Sequence, residues 1–332
     1  MAPPVRPKKR RLPPGQRLIR YLELATIATF LQGQFLPIDQ LTKNTFWAKE
    51  QVKVVQPFAL SERCDDLEKR LTDMSLLKGM HTGVFLVEPK TGKYADVNGH
   101  DQFAAASIIK LPVLVSFLIH LDRKEIKMDE KLTLRQDLMA AGSGHLQWRK
   151  VGSKVTVREA AELMITVSDN TATNLLIEAL GGKAGLNEEF ARWGLTQTKI
   201  NNMLGDFEGT NKTSPYDLVY LLGRIDRGEL VSPASRRWML AVMERTRIRT
   251  LLPQGIGPGA KIAHKTGDIG CMVGDAGIIT SPLGVRYLIA VQVERPRNDR
   301  RANVLVRNIS KEIYNTLVVK KASAPVPGPT NH

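Results

Sequence analysis

Residues 156–182 read TVREAAELMITVSDNTATNLLIEALGG, and this stretch predicts two consecutive helices separated by a short polar break. Thr156 and Glu159 have the spacing of a capping box, which predicts that the first helix begins at Thr156. The second helix follows Asn170 and is expected to end at a pair of glycines. The break between the helices reads Ser-Asp-Asn, a cluster that usually serves as a helix cap.

An apolar segment lies upstream of this stretch. Residues 103–121 read FAAASIIKLPVLVSFLIHL, which is apolar on nearly every helical face and predicts a buried helix. Ser107 and Lys110 are three positions apart, so they share a helix face and the amine can reach the hydroxyl. A lysine in an apolar site can lose its proton and act as the base for a serine nucleophile. A second Ser-x-x-Lys, Ser75 to Lys78, shows that this spacing alone is weak support.

Two further motifs follow Ser107 in the chain. Ser168-Asp169-Asn170 comes 61 residues later, at the helix break. Lys265-Thr266-Gly267 lies on the predicted strand KIAHKTG. Taken alone, these three residues would be interpreted as a hairpin turn. Lys90-Thr91-Gly92 has the same letters but precedes Ser107 and lies in a turn, so order and context exclude it. Three such motifs in this order indicate serine acyl-transfer chemistry.

The ends of the chain predict strands, whereas the middle predicts helices. Residues 83–98 (GVFLVEPKTGKYADVN) favour a β-hairpin, and residues 103–245 are helical in pattern. From residue 261 three strands are predicted, followed by an amphipathic helix over 299–319. The fold class is therefore α/β of the α+β type. We expect one antiparallel sheet built from both chain ends, a helical lobe, and a cleft between them.

The net charge of +15 arises largely at the N-terminus, where seven basic residues and no acidic ones occur in the first twenty positions. Subtracting these seven leaves +8, spread without a stripe of basic and aromatic residues, so no nucleic-acid partner is predicted. The apolar run after the basic start suits either a membrane-targeting segment or an amphipathic helix behind a disordered tail. Its uninterrupted part, 24–31, is too short to span a bilayer.

The three motifs resemble those of the class A β-lactamases and penicillin-binding proteins. Residues 156–182 are similar to that family's central helices, and AGSGHLQ (141–147) resembles the segment that forms the far wall of its cleft. The resemblance implies a catalytic domain over 56–320. The composition of the ends predicts a basic N-terminal tail with a possible membrane-targeting or anchor segment (1–55) and a disordered tail (321–332). The resemblance implies no cofactor and no metal, and a monomeric state. Cys64 and Cys271 are expected to be free and structural.

The resemblance also implies the roles of the catalytic residues. Ser107 would be the acylated nucleophile, and Lys110 its general base or proton relay. Ser168 would pass a proton to the leaving nitrogen, while Lys265 would hold that hydroxyl and the negative charge of the substrate.

The remaining roles concern substrate binding. The resemblance implies that Asn170 binds the acyl side-chain amide and that Thr266 binds the substrate carboxylate, with Gly267 on the same strand. The backbone N–H groups of Ser107 and Asp268 would form the oxyanion hole.

The loop KINNMLGDFEGTNKTSP (199–215) is informative through a missing residue. In class A β-lactamases a glutamate on this loop, followed by asparagine four positions later, activates the water that releases the acyl-enzyme. No Glu-x-x-Leu-Asn occurs here, and the corresponding position is expected at Met203 or Leu204. Asp206 and Glu208 are the acids nearby, and we expect both to be solvated loop carboxylates.

The pattern therefore resembles the PBP-A group of penicillin-binding proteins. It implies a D,D-peptidase of the cell envelope or periplasm that acts on peptidoglycan stem peptides and is acylated by β-lactams. The alternative is a β-lactamase that uses Glu208 or Asp206 as its base. A glutaminase-type amidohydrolase suits Thr266 and Asn170 less well. A non-catalytic envelope-binding protein would predict incomplete motifs, whereas these are intact.

Overall fold

The computed structural model describes residues 56–319. The predicted N-terminal tail with its targeting segment and the C-terminal tail over 321–332 lie outside these residues. Within 56–319, no helix combines the length and the apolar character needed to span a bilayer. Cys64 and Cys271 are both free thiols, as predicted.

The central sheet is assembled from the two ends of the described chain. The strands are β1 (Glu62–Arg63), β2 (His81–Glu88), β3 (Lys93–Val97), β8 (Lys261–Ile269), β9 (Met272–Thr280) and β10 (Arg286–Glu294). Their order is β1-β3-β2-β10-β9-β8, and all pairs are antiparallel except the short β1–β3 pair. The predicted hairpin and the antiparallel sheet from both ends are confirmed. Strand β8, which carries the Lys-Thr-Gly motif, lies at an edge of the sheet.

Both faces of the sheet are buried. Successive apolar side chains of the central strand β10 point to opposite faces and enter two different cores. Ile289 and Val291 pack with α1 (Asp65–Ser75) and α8 (Arg301–Tyr314) on the outer face. Leu288 and Ala290 point into the larger core formed with the helical lobe. The predicted C-terminal amphipathic helix is confirmed, and it continues as one π-helical turn over Asn315–Val319.

The helical lobe packs on the inner face of the sheet. Its helices are α2 (Lys110–Asp122), α3 (Val157–Thr166), α4 (Asn170–Ala179), α5 (Gly182–Arg192), α6 (Pro215–Asp226) and α7 (Pro233–Glu244). Helix α2 lies at its centre, with ten consecutive residues from Lys110 to Ile119 buried. A helix that is apolar all round is stable only in such a position.

The predicted helix over 103–121 begins later than its apolar pattern indicates. Phe103–Ala104 instead forms strand β4, which pairs with β7 (Lys212–Thr213). Ala106 has a positive φ of 43°, which an α-helix does not accommodate, and Ala106–Ile109 forms a 3-10 turn that leads into α2. The region predicted as helical also contains a second short strand pair, β5 (Lys131–Thr133) with β6 (Lys154–Thr156).

The predicted helix boundaries in the motif segment are correct. Thr156 caps α3 by accepting a hydrogen bond from the Glu159 backbone N–H at 3.1 Å. The Glu159 carboxylate binds Arg149 at 2.7 Å, so only half of the capping box forms. Helix α4 ends at Ala179, and Gly181 beyond it has a φ of 94°. A cap of this kind contributes about 1 kcal/mol to helix stability.

Candidate active site

Ser107 lies in the 3-10 turn that precedes the buried helix α2, and Lys110 is the first residue of that helix. The Lys110 Nζ is 3.0 Å from the Ser107 Oγ. Ser107 is partly exposed to the cleft, whereas Lys110 is completely buried. The predicted Ser–Lys contact is therefore present.

Lys110 is surrounded by oxygen atoms. In addition to Ser107, its Nζ lies 2.6 Å from the Ser168 carbonyl, 3.1 Å from the Ser168 Oγ and 2.7 Å from the Asn170 Oδ1. Burial lowers the pKa of Lys110 well below its usual value, and the nearby Lys265 charge lowers it further. A neutral amine donates two hydrogens and offers one lone pair, so it can accept the proton of the Ser107 hydroxyl.

Ser168 connects the two lysines of the site. Its Oγ is 3.1 Å from Lys110 Nζ and 3.1 Å from Lys265 Nζ. Its φ of 59° is unusual for a residue with a side chain, and it turns the chain between α3 and α4. Strain of this kind persists where the surrounding contacts fix the residue. Here the Ser168 carbonyl is held by Lys110.

Lys265 approaches Ser168 from the edge strand β8. It is completely buried, and its Nζ donates to the Thr266 carbonyl at 2.6 Å. Burial lowers the pKa of Lys265 to about 7, and the charge of Asp275 opposes this shift. A bound carboxylate beside this amine would favour its charged form.

Asp169 and Asn170 fix the opposite wall of the cleft. Asp169 caps α4 and also accepts hydrogen bonds from the backbone N–H groups of His145 and Leu146 at 2.7 and 2.9 Å. Gly144 fits here only because it has no side chain, since a Cβ would lie 2.2 Å from the Asp169 Cγ. The segment 141–147 is thus tied to the Ser-Asp-Asn motif.

Asn170 keeps one donor available to a ligand. Its Oδ1 accepts from Lys110, and its Nδ2 donates to the Ala141 carbonyl at 2.8 Å. An amide nitrogen carries two hydrogens, so the second can bind a carbonyl group in the cleft.

Gly267 allows strand β8 to pack against the turn that carries Ser107. A Cβ at Gly267 would lie 2.8 Å from the Ile108 Cγ1 and 3.1 Å from the Ala106 Cβ. This contact places the next residue, Asp268, on the same cleft as Ser107. Burial raises the pKa of Asp268 while Arg295, to which its carboxylate is hydrogen-bonded, opposes the shift.

The loop over 199–215 contributes to the wall of the cleft. Ser107, Asn170, Leu204 and Asp268 all line one cavity of about 230 Å³. Leu204 is 5% exposed, and its backbone is held by the Asn174 amide, which donates to the Leu204 carbonyl and accepts from its N–H at 2.8 Å. The position expected for the missing glutamate thus holds an apolar side chain on the cleft wall.

The two acids of this loop differ in position. Asp206 is 7% exposed, so the expectation that it is solvated is wrong. Its two oxygens accept from the Thr210 hydroxyl and the Asn211 N–H, both at 2.7 Å, and this pairing offsets the cost of burying the charge. Glu208 is exposed as predicted and lines a separate cavity beside the cleft.

The two repeated motifs elsewhere in the chain are not part of the site. Ser75 ends helix α1 and donates to the Leu71 carbonyl, while Lys78 is exposed beyond the helix. Lys90-Thr91-Gly92 lies in the turn between β2 and β3. The exclusion of Lys90-Thr91-Gly92 on sequence grounds was therefore correct.

Several residues that shape the site were not identified from the sequence. Asn174 and Gly144 hold the cleft walls, and Arg295 anchors Asp268. Each acts through a partner that is distant in the chain, so local patterns give no signal. Among residues 56–319 no cluster of His, Cys, Asp and Glu side chains is suited to a metal ion.

This arrangement can carry out acyl transfer through a serine. The Ser107 hydroxyl lies beside the buried Lys110 amine, and the Ser168 hydroxyl lies between the amines of Lys110 and Lys265. Two backbone N–H groups, on Ser107 and Asp268, are available near the same cleft for a developing oxyanion. Lys265 and Thr266 supply a cation and a hydroxyl for a carboxylate.

The rate of acylation should depend on pH through both lysines. Lys110 must be neutral to accept a proton, so the rate falls as pH decreases through its pKa. Lys265 must be charged to bind a carboxylate, so in the free enzyme kcat/KM falls as pH rises through about 7. We expect Lys265→Arg to move the alkaline limb upward, because a guanidinium stays charged to above pH 12. Second-order acylation rates with benzylpenicillin across pH test this, and an unmoved limb would contradict the assignment.

The close packing at Gly267 should make this position sensitive to one added methyl group. We expect Gly267→Ala to slow acylation about tenfold or more, because it pushes β8 away from Ser107 and separates the two oxyanion donors. Gly185→Ala in α5 is the matched control, since a Cβ there meets only the Leu180 carbonyl at 3.5 Å. Equal acylation rates in the two variants would show that the contact with Ile108 does not position the site.

The fold and the site together define an active-site-serine hydrolase that interacts with β-lactams. The chain belongs to the Beta-lactamase enzyme family, whose model matches residues 66–317. The predicted class A β-lactamase-like fold is thereby confirmed.

Similar structures and sequences agree with this assignment. The structure of PBP-A is 44% identical, has a TM-score of 0.78, and aligns with 80% of this chain and 99% of its own. A β-lactamase from Sphaerobacter thermophilus is 25% identical with a TM-score of 0.70, over 79% of this chain and 99% of its own. The curated β-lactamase of Streptomyces albus G is 26% identical over 269 residues, which cover 76% of this chain and 85% of that protein.

A further solved structure shows a variant of PBP-A in which one leucine is replaced by glutamate. It is an acyl-enzyme complex with penicillin G, with 44% identity to this chain and a TM-score of 0.77. It aligns with 78% of this chain and 98% of its own.

Proposed function

We propose that this protein is a D,D-peptidase of the penicillin-binding type, which cleaves D-alanyl-D-alanine ends of peptidoglycan stem peptides. β-Lactams would acylate the same serine and leave it only slowly. Formation of the acyl-enzyme and its release are separate steps that need different catalytic groups.

Acylation follows from Ser107, in the turn before the buried helix, and Lys110, at the start of that helix. The Ser107 Oγ attacks the peptide carbonyl while its proton moves to the neutral Lys110 amine, 3.0 Å away. The carbonyl oxygen becomes an oxyanion held by the N–H groups of Ser107 and Asp268.

Collapse of this intermediate breaks the C–N bond and expels the terminal D-alanine. The leaving nitrogen takes a proton from the Ser168 hydroxyl, which is replenished from Lys110 across 3.1 Å. Lys265 and Thr266 hold the carboxylate of the departing residue, and the Asn170 amide binds the acyl side. Water then hydrolyses the ester and restores the free serine.

One observation carries the proposal: Leu204, at the position expected for a deacylating base, lines the same cavity as Ser107. A leucine cannot take a proton from water. Of the two acids on the loop, Asp206 uses both oxygens within its own turn. Glu208 lines a different cavity from Ser107. Rapid hydrolysis of a penicilloyl ester therefore lacks its base.

The comparisons support this proposal. PBP-A is a penicillin-binding protein by name, and its leucine-to-glutamate variant forms an acyl-enzyme with penicillin G. We infer that this chain binds penicillin in the same way and that Leu204 corresponds functionally to the replaced leucine.

The lifetime of the penicilloyl adduct tests the proposal. The full chain is mixed with labelled benzylpenicillin, and the adduct is followed by intact mass over hours. A long-lived adduct is expected, together with release of D-alanine from D-alanyl-D-alanine peptides. Rapid turnover to penicilloic acid without D-alanine release would instead identify a β-lactamase.

The β-lactamase alternative has one observation in its favour, since Asp206 lines the same cavity as Ser107. Asp206→Asn separates the two functions. Under our proposal this variant leaves the slow loss of the penicilloyl group unchanged, whereas in a β-lactamase that uses Asp206 it would stop turnover.

The proposed substrate also implies a location. Stem peptides lie outside the cytoplasm, so we propose that the enzyme acts in the cell envelope. Fractionation of cells that express the full chain, followed by labelled penicillin, tests this; labelling confined to the cytoplasm would contradict it.

A further inference from the structure

A cavity of about 270 Å³ lies in the helical lobe, apart from the catalytic cleft. Its walls are the C-terminal ends of α2 and α5 and the turn that joins α6 to α7. It shares no lining residue with the cleft that contains Ser107. Its side chains take no part in the catalytic roles assigned above.

Two arginines line this cavity without a partner. Arg123 follows the last residue of α2, and Arg192 is the last residue of α5. Both side chains are exposed, and neither guanidinium forms an ion pair or a hydrogen bond with another group in residues 56–319. The dipole of each helix favours a cation at its C-terminal end, which stabilises each arginine there. Together they place two like charges in one small cavity, and an anion between them would relieve their repulsion.

The two carboxylates of the cavity are already engaged. Glu189 is buried; one of its oxygens accepts from the Ser116 hydroxyl at 2.5 Å, and the other lies 2.9 Å from the His120 Nε2. Glu229 forms ion pairs at 2.7 and 3.1 Å with two arginines that lie outside the cavity. The charges that remain available to a ligand are therefore both positive.

The remaining lining is apolar and held in place. Ile119 and Trp193 are buried, and Leu230 is half-buried. The Trp193 ring packs against Phe190 with their centroids 5.5 Å apart, and the Trp193 carbonyl accepts from Arg224 at 3.1 Å. Small-molecule sites typically combine such an apolar wall with a few polar groups that fix the orientation of the ligand.

We propose that this cavity binds a small organic anion, with its carboxylate or phosphate group between Arg123 and Arg192 and its apolar body against Trp193. A guanidinium can bind either anionic group through two parallel hydrogen bonds, which a lysine cannot do. The inference does not depend on the proposed peptidase function, because the cavity and the cleft are separate.

Such a ligand would connect two helices of the lobe. Helix α2 begins at Lys110 and ends beside Arg123, and the Glu189 carboxylate already joins its last turns to α5. An anion between the two arginines would add a second link between the same helices. Because the ligand would bind the folded chain and not the unfolded one, it should raise the midpoint of thermal unfolding.

The test measures thermal unfolding of the full chain with three probes at constant ionic strength. Benzoate has a carboxylate and an apolar body, benzamide has the same body without the charge, and inorganic phosphate has the charge without the body. We expect benzoate at about ten times its dissociation constant to raise the midpoint by about 3 °C, as mass action requires. Phosphate should bind more weakly, and benzamide should have no effect. Isothermal titration calorimetry supplies the dissociation constants.

Two variants assign the arginines. Arg123→Gln and Arg192→Gln should each weaken benzoate binding about tenfold, because each removes a charge-assisted hydrogen bond. Arg237→Gln is the matched control, since Arg237 is an exposed arginine on α7 outside the cavity, and it should leave the dissociation constant unchanged. A cooperative unfolding transition without any probe shows that each variant is folded.

Three outcomes would overturn the proposal. Benzoate that binds Lys265 in the catalytic cleft instead would be unaffected by the double variant Arg123→Gln/Arg192→Gln. Equal stabilisation by benzoate and benzamide would show that the arginines hold no anion. Equal binding of phosphate and benzoate would show that the apolar wall takes no part, and the ligand would not be an organic anion.

Discussion

Replacing the nucleophile should remove covalent labelling completely. We expect Ser107→Ala to form no adduct with labelled penicillin, because it removes the cleft-lining hydroxyl that lies 3.0 Å from the Lys110 amine. Ser168 is the nearest alternative, yet its Oγ is held between two amines at 3.1 Å each. Intact mass spectrometry measures the loss directly. Removing a nucleophile of this kind typically costs on the order of a millionfold in rate.

The chain contains a matched control for this experiment. Ser75 has the same Ser-x-x-Lys spacing, but its hydroxyl donates to the Leu71 carbonyl at the end of α1. Ser75→Ala should be labelled as fast as the unmodified chain. Labelling that survives in Ser107→Ala and disappears in Ser75→Ala would reverse the assignment.

Introducing a base on the cleft wall should convert a long-lived adduct into a short-lived one. We expect Leu204→Glu to accelerate loss of the penicilloyl group about a hundredfold, the lower range for a general base, because the new carboxylate lacks evolved partners. Burial should raise the pKa of this glutamate, so the acceleration should grow as pH rises through that pKa. The decay of the adduct at several pH values measures both effects.

Leu204→Gln is the control, since glutamine matches glutamate in size and cannot accept the proton. It should leave the lifetime of the adduct close to that of the unmodified chain. Equal acceleration by both variants would show that a looser loop admits water, rather than that a base activates it. An unchanged lifetime in Leu204→Glu would place the acyl carbonyl away from this side chain.

Much of this site could be predicted from the sequence because its signals are local. A serine three residues before a lysine shares a face with it in any helix, and Asp169 caps α4 through a residue three positions ahead. The strand that carries Lys265 was recognisable from the turn-forming residues that separate it from the following strands. These features need no knowledge of distant contacts.

The remaining features depend on contacts between distant parts of the chain. The Asn174 amide binds a backbone group thirty residues away, and Gly144 is required by Asp169, a residue in another element. Asp206 looked solvated because it lies between glycines, but its own turn closes over it. The start of α2 was misplaced because an apolar pattern does not reveal the positive φ at Ala106. Tertiary packing decided each of these.

The way Asn174 holds the loop has a consequence for how such enzymes can diverge. Two of its three hydrogen bonds go to the main chain of Leu204 and the third goes to the Leu138 carbonyl, so none of them depends on which side chain position 204 carries. The course of the loop's main chain at position 204 is therefore independent of the side chain that this position carries. Under the proposed function, one substitution at position 204 is expected to change how long an antibiotic stays attached while the scaffold stays the same, so a penicillin-binding peptidase and a β-lactamase could differ by few residues.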